Sequence, residues 1–130
     1  MAKKTYNIEF LFKALGDRTR LRLISLIGDS EVCVCFFVAI LKVSQPKISR
    51  HLAYLRRAGI VAARRDGKWI HYSLTEPPDE HAAHIFREVR ASLAEHPEFR
   101  RDQDKLMQVC CAPTLPVRLK KAPRPSLIAT

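Results

Sequence analysis

Acidic residues are scarce in this chain: 13 Asp and Glu stand against 23 Lys and Arg, leaving a formal net charge of +10. That balance disfavours a binder of cationic partners and points toward a polyanion. No apolar run approaches the ~20 residues needed to cross a bilayer. Glycine is rare, four residues in all, and no two lie close enough to form a phosphate-cradling loop. The four cysteines include no Cys-x-x-Cys, and no nucleophile–base constellation stands out, so the reading is not an enzyme. The N-terminal Met-Ala-Lys-Lys-Thr-Tyr-Asn leads into Ile8–Leu15 without an uninterrupted apolar stretch or a small-residue cleavage site. A secretory signal is therefore not expected, and a cytoplasmic location without membrane association is.

The positive charge is concentrated. Residues 42–68 hold eight Lys or Arg against the single acid Asp66, and residues 112–130 hold four with no acid. A basic centre on a nearly neutral body is the footprint of a nucleic-acid binder, the alternative being a solvated basic face. The cysteines fall in two close pairs, Cys33/Cys35 and Cys110/Cys111. In a cytosolic protein such pairs suggest metal binding or redox chemistry rather than a disulfide framework.

Local patterns give the organisation. Ile8, Leu11, Phe12 and Leu15 recur at helical spacing, Gly16 ends that helix, and Asp17 can cap a second over 18–27. The apolar run 32–41 is compatible with helix or strand. Ser44 is a suitable N-cap, Pro46 suits a first helical turn, and a helix to Ala58 buries Ile48, Leu52 and Leu55 before Gly59 stops it. Residues 60–65 and 68–74 read as strands, with Asp66-Gly67 as a type I′ hairpin turn. Asp79 can cap a long helix to Glu95, and Pro97 stops or bends it before a further short helix carrying Phe99, Leu106 and Cys110. From Ala112 the chain has four prolines and no periodicity. The expectation is one mainly α domain with a small β-hairpin, a winged helix-turn-helix over 1–111, then a basic, Pro-rich and mostly disordered tail over 112–130.

In such a fold the helix after the turn enters the major groove, and the hairpin meets backbone or a neighbouring groove. Gln45 and Arg50 suit base edges, Arg50 as a bidentate partner of guanine. Ser44, Lys47, Ser49, His51 and Tyr54 can reach bases or phosphates, and Arg64, Arg65 and Lys68 at the hairpin tip can meet phosphates.

Leu15-Gly16-Asp17-Arg18-Thr19-Arg20-Leu21-Arg22-Leu23 and the segment from Ser44-Gln45-Pro46-Lys47 to Ala58-Gly59-Ile60-Val61 resemble the second helix entry and the recognition helix of the ArsR (ArsR/SmtB) metalloregulatory repressors. The resemblance covers about residues 8–95. It implies a homodimer paired through the first helix and the long helix after the wing, bound to double-stranded operator DNA and released by an inducer ion. Glu31-Val32-Cys33-Val34-Cys35 resembles the start of that family's arsenic motif, but Phe36 stands where the motif has Asp and Val38 where it has a third Cys. Soft As(III) or Sb(III) favours thiolates. The expected inducer is arsenite, antimonite or methylarsenite, held by Cys33, Cys35 and one or both of Cys110 and Cys111, in one chain or across the dimer. Residues i and i+2 of a regular helix point about 200° apart, so Cys33 and Cys35 can converge only outside one. Two alternatives stay open: a thiol-redox regulator on the same fold, and cysteines that serve only as small buried hydrophobes.

Overall fold

The structure is a computed structural model that describes residues 5–110 and 123–127. Helix α1 spans Ile8–Leu15 and α2 spans Arg18–Ile27. The Asp17 carboxylate accepts the Arg20 N–H at 3.1 Å, satisfying one of the donors that α2 leaves free at its start. Helix α2 buries Leu23, Ile24, Leu26 and Ile27. Strand β1 (Ser30–Cys33) runs straight into α3 (Val34–Leu41), so the apolar run 32–41 is part strand and part helix. Lys42, in the left-handed region at φ 57°, closes α3 by donating its N–H to Val38 and opens the turn to α4 (Gln45–Arg57). Ser44 occupies the N-cap position of α4, although its hydroxyl makes no capping bond. The far end closes as a Schellman motif: Gly59 (φ 75°) donates to Arg56 and Ile60 donates to Leu55.

Strands β2 (Val61–Asp66) and β3 (Trp69–Leu74) form the wing. Asp66 pairs with Trp69, so the two turn residues are Gly67-Lys68, one position later than the expected Asp66-Gly67. Gly67 has φ 60°, whereas Lys68 is not left-handed. The turn thus has the II′ sense, with glycine in the first central place, rather than the I′ sense. The hairpin is also not alone. Strand β1 pairs antiparallel with β3, Val32 opposite Tyr72 and Cys33 opposite His71. A two-residue β4 (Ser126–Leu127) pairs with the other edge of β1, giving the order β2-β3-β1-β4.

Helix α5 (Glu80–Glu95) is capped by the Asp79 carboxylate on the Ala82 N–H, and α6 (Pro97–Cys110) begins at the proline that ends it. Helix α6 packs against α2, α3 and α5 through Phe99 and Leu106. The buried Asp102 accepts both the Nε and Nη2 of Arg22, at 2.8 and 2.9 Å. One core holds Phe36, Phe37, Phe86, Leu23, Leu52 and Leu55. The apolar face of α1 is split: Leu11 and Ala14 are buried, while Ile8 and Phe12 remain exposed. Among the described residues, no helix is long and apolar enough to cross a membrane.

Leu52 is buried on α4 and its neighbour Arg50 is exposed. Leu52→Ala should cost about 2–4 kcal/mol of folding stability through the cavity it leaves. Arg50→Ala should change stability by less than about 0.5 kcal/mol. Denaturant unfolding midpoints check both, and equal losses would contradict the assigned orientation of α4.

Candidate functional site

Helix α4 presents Ser44, Gln45, Lys47, Ser49 and Arg50 to solvent at its N-terminal end, with the partly exposed Tyr54 one turn on. His51 is turned inward instead. Its Nδ1 accepts from Arg20 Nη1 at 3.2 Å and lies 3.6 Å from the Asp17 carboxylate. Burial holds this imidazole below the ordinary histidine pKa; Asp17 opposes the shift, and Arg20 and Arg50 add to it. Arg20 also donates to the carbonyls of Ala14 and Lys13 at 3.1 and 2.7 Å, and its guanidinium lies 4.4 Å over the Tyr54 ring. One arginine on α2 thereby fixes the rotation of α4 by hydrogen bonds and a cation–π contact. Sequence reasoning missed Arg20. Its only signal was a place one turn past the Asp17 cap.

The wing exposes Arg64, Arg65 and Lys68. Arg65 and Lys68 reach outward, with the Lys68 ammonium 5.0 Å from the Trp69 ring. Arg64 is engaged: its Nε and Nη2 meet the two carboxylate oxygens of Glu31 at 3.0 and 2.5 Å. The bidentate bond from Arg64 lowers the Glu31 pKa despite partial burial. Glu31 lies on β1, two residues before Cys33, so the wing is tied to the strand that carries the first thiol.

Cys33 ends β1 and occupies the N-cap position of α3, fully buried, and Cys35 lies half-buried in the first turn. Because the pair straddles a strand–helix junction, the i, i+2 divergence of a helix does not apply, and the two Sγ atoms approach to 3.0 Å as free thiols. The Cys35 thiol donates to Cys33, and this bond is the main reason the Cys33 pKa falls to about 6. The Cys35 N–H and His71 lower it further, and burial opposes them. Cys35 is raised correspondingly, since losing its proton would place two thiolates side by side.

His71, opposite Cys33, is also buried; its Nε2 lies 3.6 Å from Asp66 Oδ2 and makes no hydrogen bond. Cys110 lies at the end of α6, with its Sγ 3.6 Å from the Met107 carbonyl. Among the described residues no group of three or more His, Cys, Asp or Glu side chains is assembled to hold a metal ion. Cys111 lies outside the described residues.

Residues 17–63, which run from the α2 cap through α4 into β2, match the model of the bacterial regulatory protein, arsR family. The chain is 48% identical over 80 residues to the arsenical resistance operon repressor of Escherichia coli, spanning 61% of this chain and 68% of that protein. The chain belongs to the arsR family. It is also 54% identical over 65 residues to the arsenic resistance transcriptional regulator ArsR1 of Pseudomonas putida, spanning 49% of this chain and 51% of that one. It thus spans between about half and two thirds of the length of these curated relatives. Among solved structures, HlyU from Vibrio cholerae aligns at TM-score 0.58 with 26% identity, over 73% of this chain and all of that one. Rv0081 of M. tuberculosis aligns at TM-score 0.52 with 31% identity, over 75% and 90%. Membership in the arsR family places the chain among DNA-binding transcription regulators, which are not enzymes, and the winged-helix expectation holds.

The lowered Cys33 predicts a thiol that ionises near pH 6, followed by thiolate ultraviolet absorbance and lost in Cys33→Ser. The folded thiol gives up its proton before the unfolded one, whose pKa is about 8.5. Folding stability should therefore rise with pH between those two values and fall away as pH drops through 6. Removing the donor with Cys35→Ala should move the absorbance midpoint upward. A midpoint already at the ordinary thiol value in the unmutated chain would contradict the geometry.

Proposed function

We propose that this chain is a homodimeric transcriptional repressor that binds operator DNA and releases it when Cys33 and Cys35 capture trivalent arsenic or antimony. One observation carries the reading: two thiols 3.0 Å apart, one of them inclined to ionise, at the junction between the wing sheet and the first helix of the helix-turn-helix. A soft trivalent ion prefers such sulfurs. The names of the two curated relatives, an arsenical resistance repressor and an arsenic resistance regulator, support the same ligand class. Arsenite, antimonite and methylarsenite all fit a two-thiol start. A third thiolate, where one is used, comes from Cys110 or Cys111, of the same chain or of a second copy.

DNA is met by Ser44, Gln45, Lys47, Ser49, Arg50 and Tyr54 of α4 and by Arg64, Arg65 and Lys68 of the wing, with His51 steadying the helix from behind. The exposed Ile8 and Phe12 of α1, at 39% and 55% of their full surface, support pairing with a second copy through that helix. Ion capture acts in two directions. It pulls on the start of α3, which leads through Lys42–Ser44 to α4, and it shifts β1, whose Glu31 holds Arg64 of the wing.

A second reading is favoured by the same 3.0 Å separation: loss of two electrons and two protons would join the sulfurs as a disulfide and distort the same junction. One structural relative is described as reduced HlyU from Vibrio cholerae.

The test is a release titration on a duplex selected by the purified protein from a random pool. Arsenite and antimonite under reducing conditions should weaken binding by about 150-fold, the effect of ~3 kcal/mol of coupling. Cys33→Ser should abolish the response without changing affinity in the absence of ion. A response that survives Cys33→Ser would overturn the assignment, and release by peroxide alone would establish the redox reading in its place.

A further inference from the structure

A cleft of about 590 Å³ lies where the end of α2, one side of α5 and one side of α6 meet. That volume falls within the range of small-molecule sites, roughly 300–1,000 Å³. Its lining is of two kinds. Ile24, Leu93, Ala94 and Met107 make an apolar wall, and Met107, at 56% of its full surface, is one of the large apolar side chains left exposed. A flexible thioether in such a place adapts to the shape of what it covers. Around the apolar wall stand three arginines, Arg87, Arg90 and Arg100, and a single acid, Asp29. Gln103 fixes two of the walls to each other, since its amide on α6 donates to the α2 carbonyls of Ser25 and Leu26.

The charges define the occupant. Arg90 is held by the Asp29 carboxylate at 2.8 Å and Arg87 by the Glu76 carboxylate at 3.3 Å. Arg100 has no side-chain hydrogen bond or ion pair among the described residues. One uncompensated guanidinium beside an apolar wall suits one negative charge on an apolar body. We infer that this cleft binds an organic monocarboxylate, its head on Arg100 and its aliphatic or aromatic body against Ile24, Leu93 and Met107. A planar carboxylate matches the guanidinium fork, with two parallel N–H···O bonds. Inorganic phosphate offers charge but nothing to cover the apolar wall. An alcohol of the same chain length covers the wall but leaves Arg100 without a counter-charge. The site is separate from the thiol pair, and its occupancy does not rest on the dithiol reading. The two adjoin along one strand: Ser30, on the rim of the cleft, opens β1, which ends at Cys33.

The experiment titrates the full chain with octanoate, benzoate, octanol and inorganic phosphate, binding being followed by calorimetry. One or both carboxylates should bind about tenfold or more tightly than octanol or phosphate, the worth of a hydrogen bond to a charged group. Burial of the apolar body should give that binding a negative heat-capacity change. The two carboxylates distinguish a chain from a ring as the body. Arg100→Gln should weaken the tighter carboxylate by about tenfold and move octanol by less than about twofold. Ala94→Phe, which fills the cleft from an exposed position of α5, should weaken the carboxylate as well while leaving sedimentation of the chain unchanged. Carboxylates that bind no more tightly than octanol and phosphate would overturn the inference. Carboxylate binding that ignores both substitutions would place the anion elsewhere and overturn it too. A shifted oligomeric state in Ala94→Phe would assign this face to a second copy of the chain, again against the inference.

Discussion

The pairing of β1 with β3 is the constraint on which the rest of this structure depends. It fixes Cys33 opposite His71 and Val32 opposite Tyr72. Since side chains alternate along a strand, Glu31 and Cys33 share a face with His71, Arg64 and Asp66, while Val32 and Tyr72 turn into the core. A slip of one residue would exchange those faces. It would bury Glu31 without its arginine and carry the thiol away from both Cys35 and the wing. Burial of Val32 and Tyr72 resists that slip, and Cys33, fully buried in the same core, is held in register with them.

The charges follow the same division of labour. Most of the +10 lies in residues 42–68, and the acids that face this basic stretch are few and specifically placed. Glu31 holds Arg64, Asp17 faces His51, and Asp66 stands beside His71. An ion pair with a largely solvated arginine adds little net stability, because water competes for both partners. The Glu31–Arg64 pair is better understood as a link between β1 and the wing than as a source of stability. The Arg20 cluster acts differently. It bonds to two carbonyls, His51 and the Tyr54 ring at once, and so sets the angle at which α4 leaves the body.

Much of the fold was legible in the sequence wherever the cause is local. The Asp17 and Asp79 caps, the Gly59 stop, and the periodicity of α2, α4 and α5 all act within a few residues. What was not legible is set by partners far along the chain. The run 32–41 divides into strand and helix because β3, about forty residues later, offers Val32 and Cys33 a ladder. Gly67-Lys68 serves as the hairpin turn in place of Asp66-Gly67 because the whole sheet, not the dipeptide, chooses the register. β4 falls in a segment with no periodicity and was not foreseen. In the site, the cysteine pair stands out as a motif, and the geometric condition for its convergence, a position outside regular helix, is met at the β1–α3 junction. Glu31, Arg20 and His71 went unnoticed because each owes its role to residues 31 or more positions away.

The central claim is that the thiol strand and the wing move as one piece, with Glu31 and Arg64 as the joint. Glu31→Gln removes the carboxylate charge and leaves both cysteines in place. Operator affinity measured with and without arsenite, alongside direct arsenite binding, tests the claim most directly. The account predicts that Glu31→Gln binds arsenite as before while the ion's effect on operator affinity shrinks by about tenfold, a coupling loss within the usual range for such links. An unchanged ratio of the two operator affinities would contradict it.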